Sequence, residues 1–409
     1  MAKRPLRVLM IAPTSFFSEY GGHIRIYEET RALQELGHEV TIVTYYMGND
    51  IPGFDIRRTR PLPYRADYEV GSSRHKIAFD IYLAVQSLIE GLKVKPDIIH
   101  GHMHEGALIG GVLAKILRVP MVFDFQGSLT SEMVDHNFLN PNGRIFPWVF
   151  RLEKWISRQL SNRILTSSIQ ATQLLENDFD VPKKQIVALP DCADPIRFHP
   201  EVLTDEQKIR IKNRLGIPQD KTVITYLGLL TDYQGIPQLI DTAVYLKEAN
   251  ENVHFLVMGY PSVVHYKNLA YKKGISKMMT FTGKIPYKQA PQYLALGDIS
   301  VAPKISSTEG SGKLLNYMAM AHPIVAFDTP VHREYLGDLG TYAPIGDVEA
   351  FAKGIQSHLP SETRRHILGQ QLRKRAQRNY SWHQAGLCIE QVYENLTTPD
   401  TDVKIHVRV

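Results

Sequence analysis

Glu309, Gly310, Ser311, Gly312 and Lys313 put a carboxylate, two glycines, a hydroxyl and an ammonium group into one short turn. An apolar helical segment follows from Leu314 through Asn316, and His322-Pro323 closes it before the β-branched pair Ile324-Val325. Backbone N–H groups at a helix start have no intrahelical partner, and the helix dipole adds partial positive charge there. Such a turn seats phosphate, and glycine lets backbone approach a ligand closely. Glu309 can accept from sugar hydroxyls while Lys313 meets an anion. The combination points to a sugar-phosphate ligand. Taken alone, the same stretch also fits an ordinary strand-to-helix connection.

The elements that must position this turn follow from length and alternation. At 409 residues the chain can bury two cores of ordinary size. Hydrophobic residues make up 44% and charged residues 22%, as in a soluble globular protein. The two cysteines, Cys192 and Cys388, exclude a disulfide scaffold and suit a reducing compartment. The apolar run ending at Pro13 is too short for a signal sequence and reads as a first strand. Lys115, Arg118 and Pro120 break the apolar stretch 107–125, so it reads as helix then strand rather than a membrane span. These features place the chain in the cytoplasm, with peripheral contact at the inner face of a membrane as an option.

The net charge of +5 is unevenly spread. Arg57, Arg58, Arg60, Arg65, Arg74 and Lys76 crowd a stretch that also holds Pro61 and Pro63. It reads as a surface loop, either simply solvated or meeting an anionic acceptor or lipid through Arg65, Arg74 and Lys76. Nucleic acid is not an expected partner, because no base-reading motif accompanies the charge.

Strands and helices alternate from the start, the pattern of an α/β chain with parallel sheets. Strands are expected at 7–12, 39–44, 97–100, 121–125, 163–167 and 186–189, with helices at 21–36, 75–92, 106–117 and 149–160 between them. The pattern breaks near 191–200 and restarts with strands at 223–228, 254–258, 279–282, 299–302 and 324–327. Two tandem Rossmann-like domains result: 1–195, a linker at 196–220, then 221–377. A C-terminal helix and tail at 378–409 are expected to cross back to the first domain. Ligands of such folds sit beyond the carboxyl ends of strands, here an interdomain cleft. Asp191, Gly228, Gly259 and Glu309 all follow expected strands.

Together these features resemble the family-4 retaining glycosyltransferases of the GT-B fold. The resemblance runs through Gly21-Gly22 and its helix, 36–44, Pro96-Asp97-Ile98-Ile99-His100, 191–200, Tyr226-Leu227-Gly228, Phe281-Thr282-Gly283, Gly297-Asp298 and 308–326. It implies a nucleotide-diphosphate sugar as co-substrate in the second domain, an acceptor in the first, and no metal or other cofactor. It implies donor binding by Gly21, Gly22, Gly228, Gln234, Lys304, Gly310, Ser311, Gly312, Lys313, Leu314 and Asn316. Several family positions are replaced. Leu229 and Gln234 stand where an arginine and a lysine usually clamp the diphosphate, with Lys304 and Lys313 as replacements. Gln126 stands where a histidine meets the donor sugar, and Asn316 stands for the second of two glutamates, leaving Glu309. Glu309 and Gln126 are the catalytic candidates. His100, His102 and His104 recur at every second residue, which suits polar lining of the site better than a metal.

The resemblance implies transfer of a sugar to a hydroxyl of a glycan, lipid or small molecule. The replaced positions leave a lapsed sugar-nucleotide-binding or partner protein as the alternative, and the fold also hosts nucleotide-sugar epimerases, a smaller option.

Overall fold

The computed structural model describes residues 4–18, 21–62, 76–135, 138–305 and 310–398. It divides into two compact units. The first takes the chain up to Asp191 and again from Trp382, and the second is drawn from the chain between Cys192 and Ser381.

The first unit runs β1 (Arg7–Ala12), α1 (Gly21–Glu35), β2 (Glu39–Thr44), β3 (Asp55–Arg58), α2 (Lys76–Val94), β4 (Ile98–His102) and α3 (Met103–Leu117). It continues through β5 (Met121–Phe125), α4 (Leu129–Asp135), α5 (Phe146–Gln159), β6 (Arg163–Thr166), α6 (Ile169–Asn177) and β7 (Ile186–Ala188). Its seven strands are all parallel, in the order β3-β2-β1-β4-β5-β6-β7. Val8 to Ala12 are fully buried, because helices cover both faces of the sheet. On one face, Phe79 and Leu83 of α2, Leu113 of α3 and Ile156 of α5 close over Ile11, Ile99 and Phe123. The other face carries α1 and the chain's last helix, Trp382–Thr397. A Cβ on Gly386 would lie 2.8 Å from the Ala32 side chain, so glycine lets these two helices touch.

The second unit runs α7 (Asp205–Leu215), β8 (Thr222–Leu227), α8 (Ile236–Glu248), β9 (Val253–Met258), α9 (Val263–Lys272), β10 (Met279–Gly283) and α10 (Ala290–Leu294). Then come β11 (Ile299–Ala302), α11 (Gly312–Ala319), β12 (Ile324–Phe327), α12 (Pro330–Leu336), β13 (Thr341–Ala343), α13 (Val348–Gln356) and α14 (Glu362–Asn379). The helix Trp382–Thr397 of the first unit is therefore α15. The six strands of this sheet are parallel, in the order β10-β9-β8-β11-β12-β13.

Two local expectations change. Residues 196–220 do not form a linker but pack into the second unit. Phe198 is fully buried, and Arg373 of α14 donates to the carbonyls of Phe198 (2.8 Å) and Pro195 (2.9 Å). Thr204 and Gln207 cap α7 reciprocally, and Gly216 ends it at φ +68°. The basic stretch is not simply a loop either, since Arg57 and Arg58 lie in edge strand β3. Arg58 donates to the carbonyls of Phe16 and Met47 and pairs with Asp50, and Arg57 pairs with Asp55. Lys76 opens α2 and pairs with Glu105. Arg65 and Arg74 lie outside the described residues.

Candidate functional site

In the second unit, β8 delivers Tyr226 and Gly228 to its carboxyl end, and α11 starts beside them. Tyr317 of α11 ties the helix there, its hydroxyl accepting from the Leu227 N–H at 2.7 Å. Lys313, on the first turn of α11, donates to Gln234 Oε1 at 2.6 Å and to the Tyr226 hydroxyl at 3.2 Å. Its ammonium also sits 4.5 Å from the centre of the Tyr226 ring. Gly228 makes room for this arrangement: its φ is +154°, and a Cβ there would lie 2.9 Å from Lys313 Nζ. Burial raises the Tyr226 phenol well above its usual range, so it stays neutral beneath the cation.

Ser311 directly precedes α11, and its hydroxyl lies 3.2 Å from His332 Nε2. His332 Nδ1 lies 2.7 Å from the Phe327 carbonyl, which can only accept, so Nδ1 carries the proton and Nε2 accepts from Ser311. The Ser311 proton is thereby committed, which leaves its backbone N–H as the donor for an anion. Burial, against the Phe327 hydrogen bond and with the Lys304 and Lys313 charges, lowers His332 to about 4. Lys304, which follows β11, is buried. The structure thus gathers Gly228, Gln234, Ser311, Gly312 and Lys313 in one place, with Lys304 close enough to act on His332.

Leu314 departs from the expected role. Its side chain is fully buried, and its N–H already bonds the Ser311 carbonyl at 2.9 Å, so it has neither group to offer. Asn316 lies nearly buried one turn beyond Lys313 on the same helix. Gly310 is half-buried two residues before α11, and Glu309 lies outside the described residues.

In the first unit, Gln126 follows β5 and donates to Asp124 Oδ2 at 2.8 Å. Gly22 admits it: a Cβ there would lie 2.7 Å from Gln126 Oε1, whereas one on Gly21 would meet nothing within 4 Å. Asp124 belongs to a buried network. Arg25 of α1 donates to it at 2.7 and 3.0 Å, His102 Nδ1 lies 3.0 Å from it, and Arg25 also reaches Asp191 at 3.2 Å. Glu29 lies 3.1 Å from Arg25. Burial opposes the Asp124 charge, but Arg25 and His102 hold the carboxyl far below its normal range. Burial and the nearby Asp124 charge push Glu29 well up, and burial with His102 pushes His100 well down. His100 and His102 stack at 4.6 Å, and Tyr393 of α15 lies 2.7 Å from His100 Nδ1.

Glu29, His100, His102 and Asp124 present ligand-type atoms within 4.8 Å of one another. The donor set fits a cation poorly, because the Arg25 guanidinium already supplies positive charge to both carboxylates. His104 lies apart, with Nε2 3.2 Å from Glu153. The histidines therefore serve separate buried networks. Sequence reasoning missed Arg25, His332 and Tyr226. The available signal was Arg25 and Glu29 at i and i+4 on a helix otherwise buried through Ile26 and Leu33.

Residues 207–375 match the family described as "Glycosyl transferases group 1", and residues 21–197 match "Glycosyltransferase Family 4". A sulfoquinovosyl transferase of Arabidopsis thaliana is 25% identical over 409 residues, covering 93% of this chain and 72% of that protein. Among solved structures, a sucrose-phosphate synthase from Thermosynechococcus elongatus superposes with a TM-score of 0.80 at 16% identity, over 96% of this chain and 99% of that one. Anabaena HepE, in complex with UDP and glucose, gives 0.75 at 12% identity, over 96% of this chain and all of its own.

Proposed function

Because the chain belongs to the family-4 glycosyltransferases of the GT-B fold, we propose that it moves a sugar from a nucleotide-diphosphate donor to a hydroxyl of a glycan, lipid or small molecule. The proposed reaction is retaining and needs no metal. The acceptor oxygen bonds to the anomeric carbon as the bond from that carbon to the diphosphate oxygen breaks. The bonding pair leaves with the diphosphate, and a phosphate oxygen takes the acceptor proton.

The observation that carries this reading is Lys313 at the start of α11, resting on Gln234 and Tyr226 beside Gly228. A cation at a helix start answers the charge that develops on a departing diphosphate. Lys313 and Lys304 then take over from the clamp that Leu229 and Gln234 lack, and Gln234 holds the Lys313 side chain in place. The Ser311 and Gly312 amides bind phosphate, Asn316 meets the nucleotide ribose, and Glu309 accepts from the sugar hydroxyls. The UDP bound by HepE supports the ligand class. Gln126 favours the second reading, a lapsed sugar-nucleotide-binding protein, because its amide cannot carry a proton and is spent on Asp124.

Thermal-shift titration with UDP, ADP and GDP and their sugars, followed by assay for released nucleotide, separates the two. A ligand specific to the native state raises the melting temperature with the logarithm of its concentration. Stabilisation with turnover supports transfer, and stabilisation without turnover against any acceptor supports the binding protein. Glu309→Gln is expected to slow transfer at least tenfold while nucleotide alone binds nearly as before. Transfer at the parental rate would remove Glu309 from the reaction.

A further inference from the structure

Among the described residues no helix is long and apolar enough to cross a membrane, yet three helices of the first unit turn apolar side chains outward. On α2, Ile77, Ile81, Val85, Leu88 and Leu92 form an exposed stripe at a spacing of three to four residues, and Ile77 is 70% exposed. Ile145, just before α5, and Trp148, Leu152 and Trp155 on it form a second stripe, with Trp148 at 71%. Between them α3 exposes Val112 and Ile116. The helices lie side by side on one face of the sheet, where their inner residues share one core. A Cβ on Gly91 of α2 would lie 3.0 Å from Leu117 of α3, and one on Gly111 of α3 would lie 2.6 Å from Leu160 just after α5. An exposed apolar surface this broad is a contact surface rather than scatter.

Charge identifies the partner. These three helices contain four carboxylates, and every one is turned inward or paired. Asp80 accepts from Tyr45, Glu90 pairs with Lys93, Glu105 pairs with Lys76, and Glu153 accepts from the Leu129 and Thr130 N–H groups. The exposed charges on these helices and at their ends are cations: Lys93, Lys115 and Arg118, with Arg151 and Arg158 on α5 and Arg144 in the turn before it. Seven residues make nearly two helical turns, so Arg151 and Arg158 share one side of α5, and the Arg151 guanidinium lies 5.7 Å from the centre of the Trp148 ring. Asp180 is an exposed acid beside α5 and is paired with Lys154, so aliphatic residues, interfacial tryptophans and a border in cationic excess match an anionic lipid surface.

We propose that the outer face of α2, α3 and α5 docks the protein on anionic membrane surfaces. The helices lie flat on the headgroups with Trp148 and Trp155 inserted, and the arginines meet lipid phosphates. This proposal stands apart from the donor chemistry, since none of these residues belongs to the α11 site. It also relocates the lipid contact expected at Arg57 to Lys76, where Arg57, Arg58 and Lys76 are held by Asp55, Asp50 and Glu105.

The test is sedimentation of the full chain with vesicles of phosphatidylcholine alone, or mixed with phosphatidylglycerol, followed by tryptophan emission. Trp382 is buried, so a blue shift reports Trp148 and Trp155. Binding is expected only with phosphatidylglycerol, weakening as salt rises. R144Q/R151Q/R158Q should lower the partition constant by roughly a hundredfold, at about fivefold per arginine. W148S/W155S should lower it at least tenfold. Unchanged circular dichroism confirms that each variant folds, and the all-exposed arginine variant serves if the tryptophan variant does not. Absence of binding to phosphatidylglycerol vesicles at low salt would overturn the proposal. So would a dimer in sedimentation equilibrium that W148S/W155S dissociates, which would make a second copy the occupant.

Discussion

Arg25 in the first unit is held by the carboxylates of Asp124, Glu29 and Asp191, whereas Lys313 in the second rests on a phenol, a ring face and an amide oxygen. Both are cations at the carboxyl end of a parallel sheet. Full charge pairing at Arg25 builds a network whose removal damages the fold. The phenol and amide oxygen that seat Lys313 hold its ammonium in position at the start of α11. Burial alone does not mark a ligand site; the type of partner does.

The largest expected effect breaks the charge-paired side. Asp124→Ala leaves Arg25 buried without its main partner and should cost about 3–5 kcal/mol, read by chemical denaturation. Replacing Arg25 and Asp124 together with apolar residues should cost less than the sum of the two single changes. Additive losses would mean that the pair is not the organising contact.

Next in size is an acid effect seated in the second unit. Burial lowers His322 to about 4, and His332 has the same value for the causes given above. Between pH 6.5 and about 4 the unfolded chain binds protons that these native rings refuse. Stability is therefore full above 6.5 and drains as the pH falls through that window, by roughly 3 kcal/mol for each ring. Melting curves across the window should show the loss, and His322→Asn should flatten part of it. A curve that stays level down to pH 4 would mean that the rings gain protons without cost.

Lys313→Ala sharpens the other side of the comparison. Losing a charge-assisted contact of about 1.5–3 kcal/mol should weaken nucleotide-diphosphate binding tenfold or more, measured by calorimetry. The unliganded melting temperature should barely move, because Gln234 and the Tyr226 hydroxyl, which the change leaves behind, are neutral. A large drop in that temperature would make Lys313 a structural residue like Arg25. The smallest effect compares neighbouring glycines. Gly22→Ala displaces the Gln126 amide and should cost up to about 1 kcal/mol, while Gly21→Ala faces open space and should be neutral in the same denaturation assay.

How much of this was legible in the sequence depends on the range of the interaction. The inner strands β1, β2 and β5 were plain, because buried parallel strands read as unbroken apolar runs. Edge strands β3 and β13 were not: Asp-Ile-Arg-Arg is polar, and Thr-Tyr-Ala is too short to carry a pattern. The turn at 309–313 was legible because glycine, charge and helix start adjoin in sequence. The seating of Lys313 on Gln234 was not, since 79 positions separate them. Arg25 stayed hidden for the same reason, with Asp124 lying 99 positions away. The outward stripes of α2 and α5 have helical periodicity, but periodicity does not say which side meets the core.

The first unit is discontinuous in the chain, and this bears on its synthesis. Its sheet is complete by β7, but His100 waits for Tyr393 and His38 for Glu390, both on the last helix. On a ribosome adding roughly 5–20 residues per second, tens of seconds pass between β7 and α15. During that interval the α1 side of the sheet lacks its cover, while the second unit, drawn from the intervening chain, emerges and can finish first. The order of maturation thus inverts the order of the sequence. A nascent chain stalled before Trp382 would hold a closed second unit beside an open first one, which chaperone capture or limited proteolysis of the stalled chain would detect.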